Sequence, residues 1–208
     1  MTSLDAPDPT SEHEQVSAQL LRRLATLPAA NVGDAQERLG SASGLHAVWP
    51  GARLAGPAFT VWTRPGDNLV IHQALDRAQP GDVVVVNGGG DESRALIGDL
   101  IGARARSLGI AGFVIDGAVR DAEALAACGT PVFARAVTPA GPFKSGPGRL
   151  QQPIAVAGVV VMPGDLVVAD ADGVVVVPRS DAAAVVERAE RIETEEAEKR
   201  AALLVPSP

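Results

Sequence analysis

The sequence is short of the residues that most often cross-link or metallate a protein. It has one cysteine, Cys128, so no intrachain disulfide can form, and a reducing compartment fits. Its three histidines, His13, His46 and His72, are scattered, which argues against a zinc site of the usual His and Cys kind. Aromatic residues make up only 3% of the chain. Lys and Arg number 18 against 25 Asp and Glu, a formal net charge of -7. That balance argues against sequence-independent binding of a nucleic-acid backbone. It still permits a small anion, because one local arginine and a metal can overrule the global field. No apolar run approaches the roughly 20 residues needed to span a bilayer. The opening "MTSLDAPDPTSEHE" has neither a basic start nor an apolar run, so no signal peptide is expected. The expectation is a cytoplasmic protein with no membrane and no nucleic-acid partner.

What is present is a globular composition, 46% hydrophobic and 21% charged over 208 residues. Residues 1–13 are polar and proline-containing and are expected to be disordered, leaving a single domain over 14–204. "VSAQLLRRLATL" (Val16 to Leu27) has helical apolar spacing, and "NVGDAQERLG" reads as a cap and short helix ended by Gly40, with Asn31 and Asp34 near its start. "RLAGPAFTVWTR" reads as a strand in which Pro57 marks a bulge or an edge. "DNLVIHQALDRAQ" reads as a helix capped by Asp67 or Asn68. A strand–helix rhythm follows: strand "PGDVVVVN", helix "ESRALIGDLIGARARSLG", strand "IAGFVID", helix "AVRDAEALAACG", strand "PVFARAV". Such units imply right-handed crossovers and a parallel core.

After the Gly/Pro-rich loop "TPAGPFKSGPGRLQ" come short Val-rich segments, "IAVAGVVVM", "DLVVAD" and "GVVVVP". They are expected to form a second, mostly antiparallel β layer. "PGDVVVV" and "PGDLVVAD" read as a shared turn-into-strand device. A charged helix from about Asp181 to Leu204 ends the chain. The fold class is α/β, with two β layers and helices outside.

The stretch "GDLIGARARSLGIAGFVIDGAVRD" (Gly98 to Asp121) carries the chemistry. Twenty residues separate Asp99 from Arg120, enough for most of a helix, a turn, a buried strand and another turn. A βαβ path of that length returns the chain to the same end of the sheet, where ligands of α/β sheets collect. Backbone N–H groups at the start of "GDLIG" suit a carboxylate or phosphate. Carboxylates favour Mg²⁺ or Mn²⁺, and Arg120 can grip a carboxylate or enolate oxygen with paired donors. A nucleotide site is the rival reading. Gly88 and Gly90 fit part of GxGxxG, but the final position is Ser93, and no GxxxxGK[ST] occurs.

The spacing Asp, twenty residues, Arg-Asp resembles the metal-site signature of class II pyruvate aldolases related to 4-hydroxy-4-methyl-2-oxoglutarate aldolase. That family includes the RraA-like proteins, named for a regulator of ribonuclease E. The resemblance runs from "NVGDAQERLG" to "DADGVVVVP", anchored by "GDLIG", "GFVIDGAVRD", "FKSGPG" and "PGDLVVADADGVVVVP". It implies a layered α/β/β/α sandwich related to phosphohistidine-type swivelling domains, assembled as homotrimers or hexamers. It implies that Gly98, Asp99, Leu100 and Ile101 hold the pyruvyl group, that Arg120 binds substrate oxygen, that Asp121 ligates Mg²⁺ or Mn²⁺ directly, and that Asp99 holds the metal through water. Arg120, Asp99 and Asp121 are thus the implied catalytic set. The implied reaction cleaves 4-hydroxy-2-oxo acids to pyruvate, with oxaloacetate decarboxylation as a second activity. It needs no Schiff-base lysine, so Lys144 is not the nucleophile. The alternative is a non-catalytic RraA-like regulator of a ribonuclease. Such members tend to lack an acid at the Asp99 position and to carry one three residues after the final Asp; this chain has Asp99, and has Ala124 with Glu123 before it. The family also uses an acid from a neighbouring subunit, for which Glu193, Glu195 and Glu196 are candidates.

Outside this set the plain readings stand. Asp116 caps a turn, His72 serves a core or interface, and Cys128 is a small core residue.

Overall fold

The computed structural model describes residues 17–204. The expected disordered tail with His13, the N-terminus expected to lack a signal peptide, and the first three residues of the expected domain, Val16 among them, lie outside the described residues. Helices α1 (Ala18–Thr26) and α2 (Ala29–Ala35) precede two short strands, β1 (Ser41–Ala42) and β2 (His46–Ala47), and a long one, β3 (Leu54–Thr63). Next come α3 (Leu69–Leu75), β4 (Val83–Ala95), α4 (Asp99–Ser107), β5 (Gly112–Val119), α5 (Ala122–Ala127) and β6 (Val132–Val137). The remainder is β7 (Gly148–Leu150), β8 (Ile154–Val156), β9 (Val159–Val161), β10 (Leu166–Asp170), β11 (Gly173–Val177) and α6 (Ala182–Leu203).

Strand β3 organises the domain. Its residues Leu54–Pro57 pair antiparallel with β10, and Ala58–Trp62 pair parallel with β4. The main sheet order is β1-β11-β10-β3-β4-β5-β6-β2, with β7 added beside β3 and β8–β9 a separate hairpin. The two arms fold over each other, as side-chain alternation shows. Val83 and Val85 of β4, Val114 of β5, Val167 and Ala169 of β10, and Val174 and Val176 of β11 share one core between the arms. The opposite faces turn outward. Val84, Val86, Phe113 and Ile115 pack with residues of α3 and α4 and with Leu125 of α5. Leu166, Val168, Val175 and Val177 pack against α1, α2 and α6. The layers are therefore α/β/β/α, as the resemblance implies, with both β layers continuous through β3.

The two "PGD" turns are one device. Asp82 accepts from Gln79 N at 2.7 Å, and Asp165 accepts from Met162 N at 2.8 Å.

Several local expectations need correction. Pro57 is at no bulge, and it has a strand partner, Leu166 of β10, on one side only. It sits where β3 changes partner, and Ala58 at once resumes bonding, donating to Asp165 O at 2.7 Å. The helix expected from Glu92 begins only at Asp99. Gly89 and Gly90, at φ 71° and 69°, put bulges into β4, and the strand resumes pairing with Asp91 opposite Gly117 and Ala95 opposite Ala118. For the same reason β5 runs on to Val119, and α5 starts at Ala122 rather than Ala118. Helix α2 begins at Ala29, so Asn31 and Asp34 are inside it. Its first N–H is satisfied from a distance by Asp170 Oδ2 at 2.9 Å, and it ends at Ala35 because Glu37 and Arg38 take positive φ. Cys128 is half-buried, its Sγ 3.2 Å from Thr130 Oγ1. Among the described residues no helix is long and apolar enough to cross a membrane.

Candidate functional site

The parallel strands β4 and β5 end side by side, and the segments that leave them are tied together. Leu96 N donates to Ala118 O at 2.8 Å, and Arg120 N donates to Ile97 O at 3.0 Å. Gly98 and Asp99, after the first segment, therefore face Arg120 and Asp121, after the second. Asp121 occupies the cap position of α5, at φ 57° and ψ 43°, yet makes no side-chain cap bond to that helix. This left-handed conformation is uncommon for a residue with a side chain, and Asp is among the few that tolerate it. Its carboxylate crosses to the neighbouring helix, where Oδ2 accepts from Asp99 N at 3.2 Å. Asp99 Oδ1 accepts from Leu100 N at 2.8 Å. Two of the orphan N–H groups of α4 are thereby satisfied by the two carboxylates.

Gly98 is required here for space. Its extended φ of -151° suits any residue, but a Cβ would overlap Asp121 Oδ2 and lie 3.0 Å from Arg120 Cγ. Arg120 Nε pairs with Asp121 Oδ2 at 3.2 Å, with side chains 41% and 37% exposed. That exposure leaves the pair screened and the guanidinium open to a ligand. Leu100 is exposed and Ile101 is buried among the core residues.

Of the six expected residues, Gly98, Asp99, Arg120 and Asp121 thus meet at one point, Leu100 joins them through its backbone N–H, and Ile101 anchors the helix beneath them. Among the described residues, Asp121 Oδ1 and Asp99 Oδ2 accept no hydrogen bond, and no group of three or more His, Cys, Asp or Glu is placed to hold a metal. Two hard carboxylates with free oxygens suit Mg²⁺ or Mn²⁺, which keep several waters, better than a closed zinc site. Glu193, Glu195 and Glu196 lie on α6, in the helix layer on the far side of both β layers.

Other expectations resolve differently. Asp116 caps nothing: its carboxylate pairs with Arg135 and accepts from Ala157 N at 2.8 Å, locking the β8–β9 hairpin onto β5 and β6. Asp67 and Asn68 were both cap candidates. Asn68 has the cap position, and Asp67 Oδ1 supplies the bond, to Leu69 N at 3.0 Å. Gly88–Gly90 lie inside β4, so no strand-to-helix phosphate loop forms there. His72 is half-buried; burial, Lys144 and Arg104 hold its pKa below the ordinary value, opposed by Asp76. Sequence reading missed Gly141, whose added Cβ would lie 3.2 Å from Arg120 Nη1. A glycine in a Gly/Pro-rich loop carries no local signal of such a neighbour.

Comparison with known proteins agrees with the fold. Residues 29–176 match the model of the RraA-like family, described as Aldolase/RraA. A protein of Halalkalibacterium halodurans named "Putative 4-hydroxy-4-methyl-2-oxoglutarate aldolase" is 39% identical over 189 residues, 90% of each chain. The crystal structure of an uncharacterised protein from Pseudomonas syringae pathovar tomato superposes with a TM-score of 0.85 at 31% identity, over 93% of this chain and 96% of that one. Streptomyces coelicolor RraAS2, described as an unusual member of the RNase ES inhibitor RraA family, superposes with a TM-score of 0.82 at 34% identity, over 91% of this chain and 99% of that one. With its layered fold, its paired carboxylates beside Arg120 and a family match over most of its length, the chain belongs to the RraA-like (Aldolase/RraA) family.

Proposed function

We propose that this protein is a divalent-metal-dependent carbon–carbon lyase. It cleaves 4-hydroxy-2-oxo acids of the 4-hydroxy-4-methyl-2-oxoglutarate type to pyruvate and decarboxylates oxaloacetate at the same site. The observation that carries this reading is the meeting of Asp99, Asp121 and Arg120 around Gly98, at the N-terminus of α4. Asp121 would hold Mg²⁺ or Mn²⁺ directly and Asp99 would hold it through water. When bound, the metal supplies Lewis acidity to the carboxylate and keto oxygens of the 2-oxo acid. The chain's own groups do the rest. Arg120 presents its guanidinium to the keto oxygen, where negative charge develops as the C3–C4 bond breaks. The first N–H groups of α4, at Leu100 and Ile101, are aligned for the substrate carboxylate. Leu100 N is engaged by Asp99 Oδ1, so substrate and Asp99 compete for it. The C4 hydroxyl proton leaves to a water held at Asp99 Oδ2, C4 becomes a carbonyl as the C3–C4 bond breaks, and C3 takes a proton back from that water to give pyruvate. The same reading makes the protein a cytoplasmic homotrimer or hexamer in which a neighbouring α6 adds an acid.

A second reading, a non-catalytic regulator of a ribonuclease, is favoured by the likeness to RraAS2. One assay separates the two. Pyruvate release from 4-hydroxy-4-methyl-2-oxoglutarate and from oxaloacetate is followed with Mg²⁺, Mn²⁺ or EDTA, for the wild type and Asp121→Ala. Release that needs metal and is lost in the variant supports the lyase. No release from folded protein under either metal overturns it for these substrates and leaves the regulator.

A further inference from the structure

The turn before α3 does more than cap a helix. Asp67 is fully buried, and its Oδ2 accepts from Ser145 N at 2.7 Å, Gly146 N at 2.9 Å and Arg64 Nη2 at 3.3 Å. Burial pushes this carboxyl up, but the N–H donors of Leu69, Ser145 and Gly146, together with Arg64, bring it below the ordinary range. Asn68 is buried too. Its backbone N donates to Phe143 O at 3.0 Å, and its Nδ2 donates to Leu96 O at 3.0 Å. Leu96 lies two residues before Gly98. Phe143 lies two residues after Gly141, the glycine against Arg120 Nη1. Asp67 and Asn68 therefore bind, from one turn, the backbone on both flanks of the candidate site.

Other contacts hold the same loop. Ala95 N donates to Ala140 O at 2.8 Å, Arg94 Nη1 donates to Gly141 O at 2.9 Å, and the Arg94 guanidinium lies 4.2 Å over the Phe143 ring. Among the described residues, Asn68 Oδ1 is buried without a hydrogen-bond partner. The amide cannot turn round to relieve this, because its nitrogen is committed to Leu96 O. A buried unpartnered acceptor is destabilising, and such locally unfavourable choices concentrate where function demands them.

We infer that Asp67 and Asn68 are positioning residues of the proposed lyase site: together they hold the 140–146 loop and the Leu96–Ile97 segment in fixed relation, so that Arg120 and Gly98 face the substrate in one geometry. Neither touches the reacting atoms. The inference rests on the lyase reading for its catalytic consequence and on hydrogen bonding alone for its structural one.

The test uses Asn68→Ala and Asp67→Asn in the full-length chain, with two readouts. Amide hydrogen exchange, read on peptides covering 96–102 and 138–147, is expected to speed up in both segments at once, with β5 still protected. Pyruvate release is expected to show kcat reduced by about 10²-fold, the scale set by a misplacement of about 1 Å, with KM changed far less. A general loss of stability would speed exchange in β5 as much as in the two segments, and would lower kcat only by the unfolded fraction read by circular dichroism. Faster exchange confined to 143–146, or unchanged kcat in either folded variant, overturns the inference. Wild-type protein without lyase activity would remove the lyase reading; the clamp is then decided by exchange, and loosening of only one segment overturns it.

Discussion

Replacing Gly98 by alanine isolates the geometry of the site from the stability of the fold. The backbone there is extended, so alanine brings no conformational penalty. Its Cβ overlaps Asp121 Oδ2 and presses on Arg120 Cγ and Nε at 3.0 and 3.1 Å. To restore ordinary contact the carboxylate retreats by about 1 Å, a displacement that lowers rates by about 10²-fold when it moves a catalytic group. The retreat also weakens the 3.2 Å bond to Asp99 N, a loss of about 1 kcal/mol. Alanine offsets about 0.4–1 kcal/mol of that by restricting the unfolded chain. The expected result is a melting temperature close to wild type, a kcat for pyruvate release down about 10²-fold, and weaker Mn²⁺ binding by titration calorimetry. Wild-type kcat and Mn²⁺ affinity in a folded Gly98→Ala protein would refute the placement of the metal at Asp121.

Three further outcomes are expected. Arg120→Ala should lower kcat by about 10²–10³-fold with little change in urea midpoint, because its pair with Asp121 is nearly half exposed; a fold-level collapse instead would mean that Arg120 is structural. Asp116→Ala should destabilise by about 3 kcal/mol, the low end for breaking a buried pair, since the Arg135 side chain retains 26% exposure; Arg135→Met in the same chain should recover part of the loss in urea denaturation, and additive losses would contradict the pairing. Stability should fall on acidification in two stages. His72 is held below its ordinary 6.5, so the unfolded chain takes up protons first and stability drops as pH falls through 6.5 toward the folded value. Asp67 is held below its ordinary 3.8, so its contribution persists above that value and is lost as pH falls through the lower folded one. Thermal melts from pH 7 to pH 3 should show His72→Gln flattening the upper stage and Asp67→Asn the lower.

Much of the site was legible because it is written in spacing. Asp99 and the Arg120-Asp121 pair are one βαβ path apart, and the path closes as its length demands. The layered fold was legible in the strand–helix rhythm that starts with the buried run Val83–Val86 and in the Val-rich segments after it. The misread boundaries share one cause: "NGGGDES" looks like the end of a strand, and only the bulges at Gly89 and Gly90, fixed by pairing with β5, let β4 continue to Ala95. Asp67, Asp116 and Arg135 were read as local caps or not at all, because their partners are 19 to 79 residues distant. A carboxylate's long-range partner leaves no periodicity to read.

The divided allegiance of β3 has a consequence for how the protein is made. Gly56 waits for Val167 and Ala55 for Val168, over a hundred residues downstream. At a synthesis rate of about 5–20 residues per second, the parallel arm stands complete on the ribosome for several seconds while Val83, Val85 and Val114 still lack the cover of Val167, Ala169, Val174 and Val176. The nascent chain thus carries a partly covered apolar face until its last strands emerge, and slower delivery of the C-terminal third is expected to lower the yield of native protein.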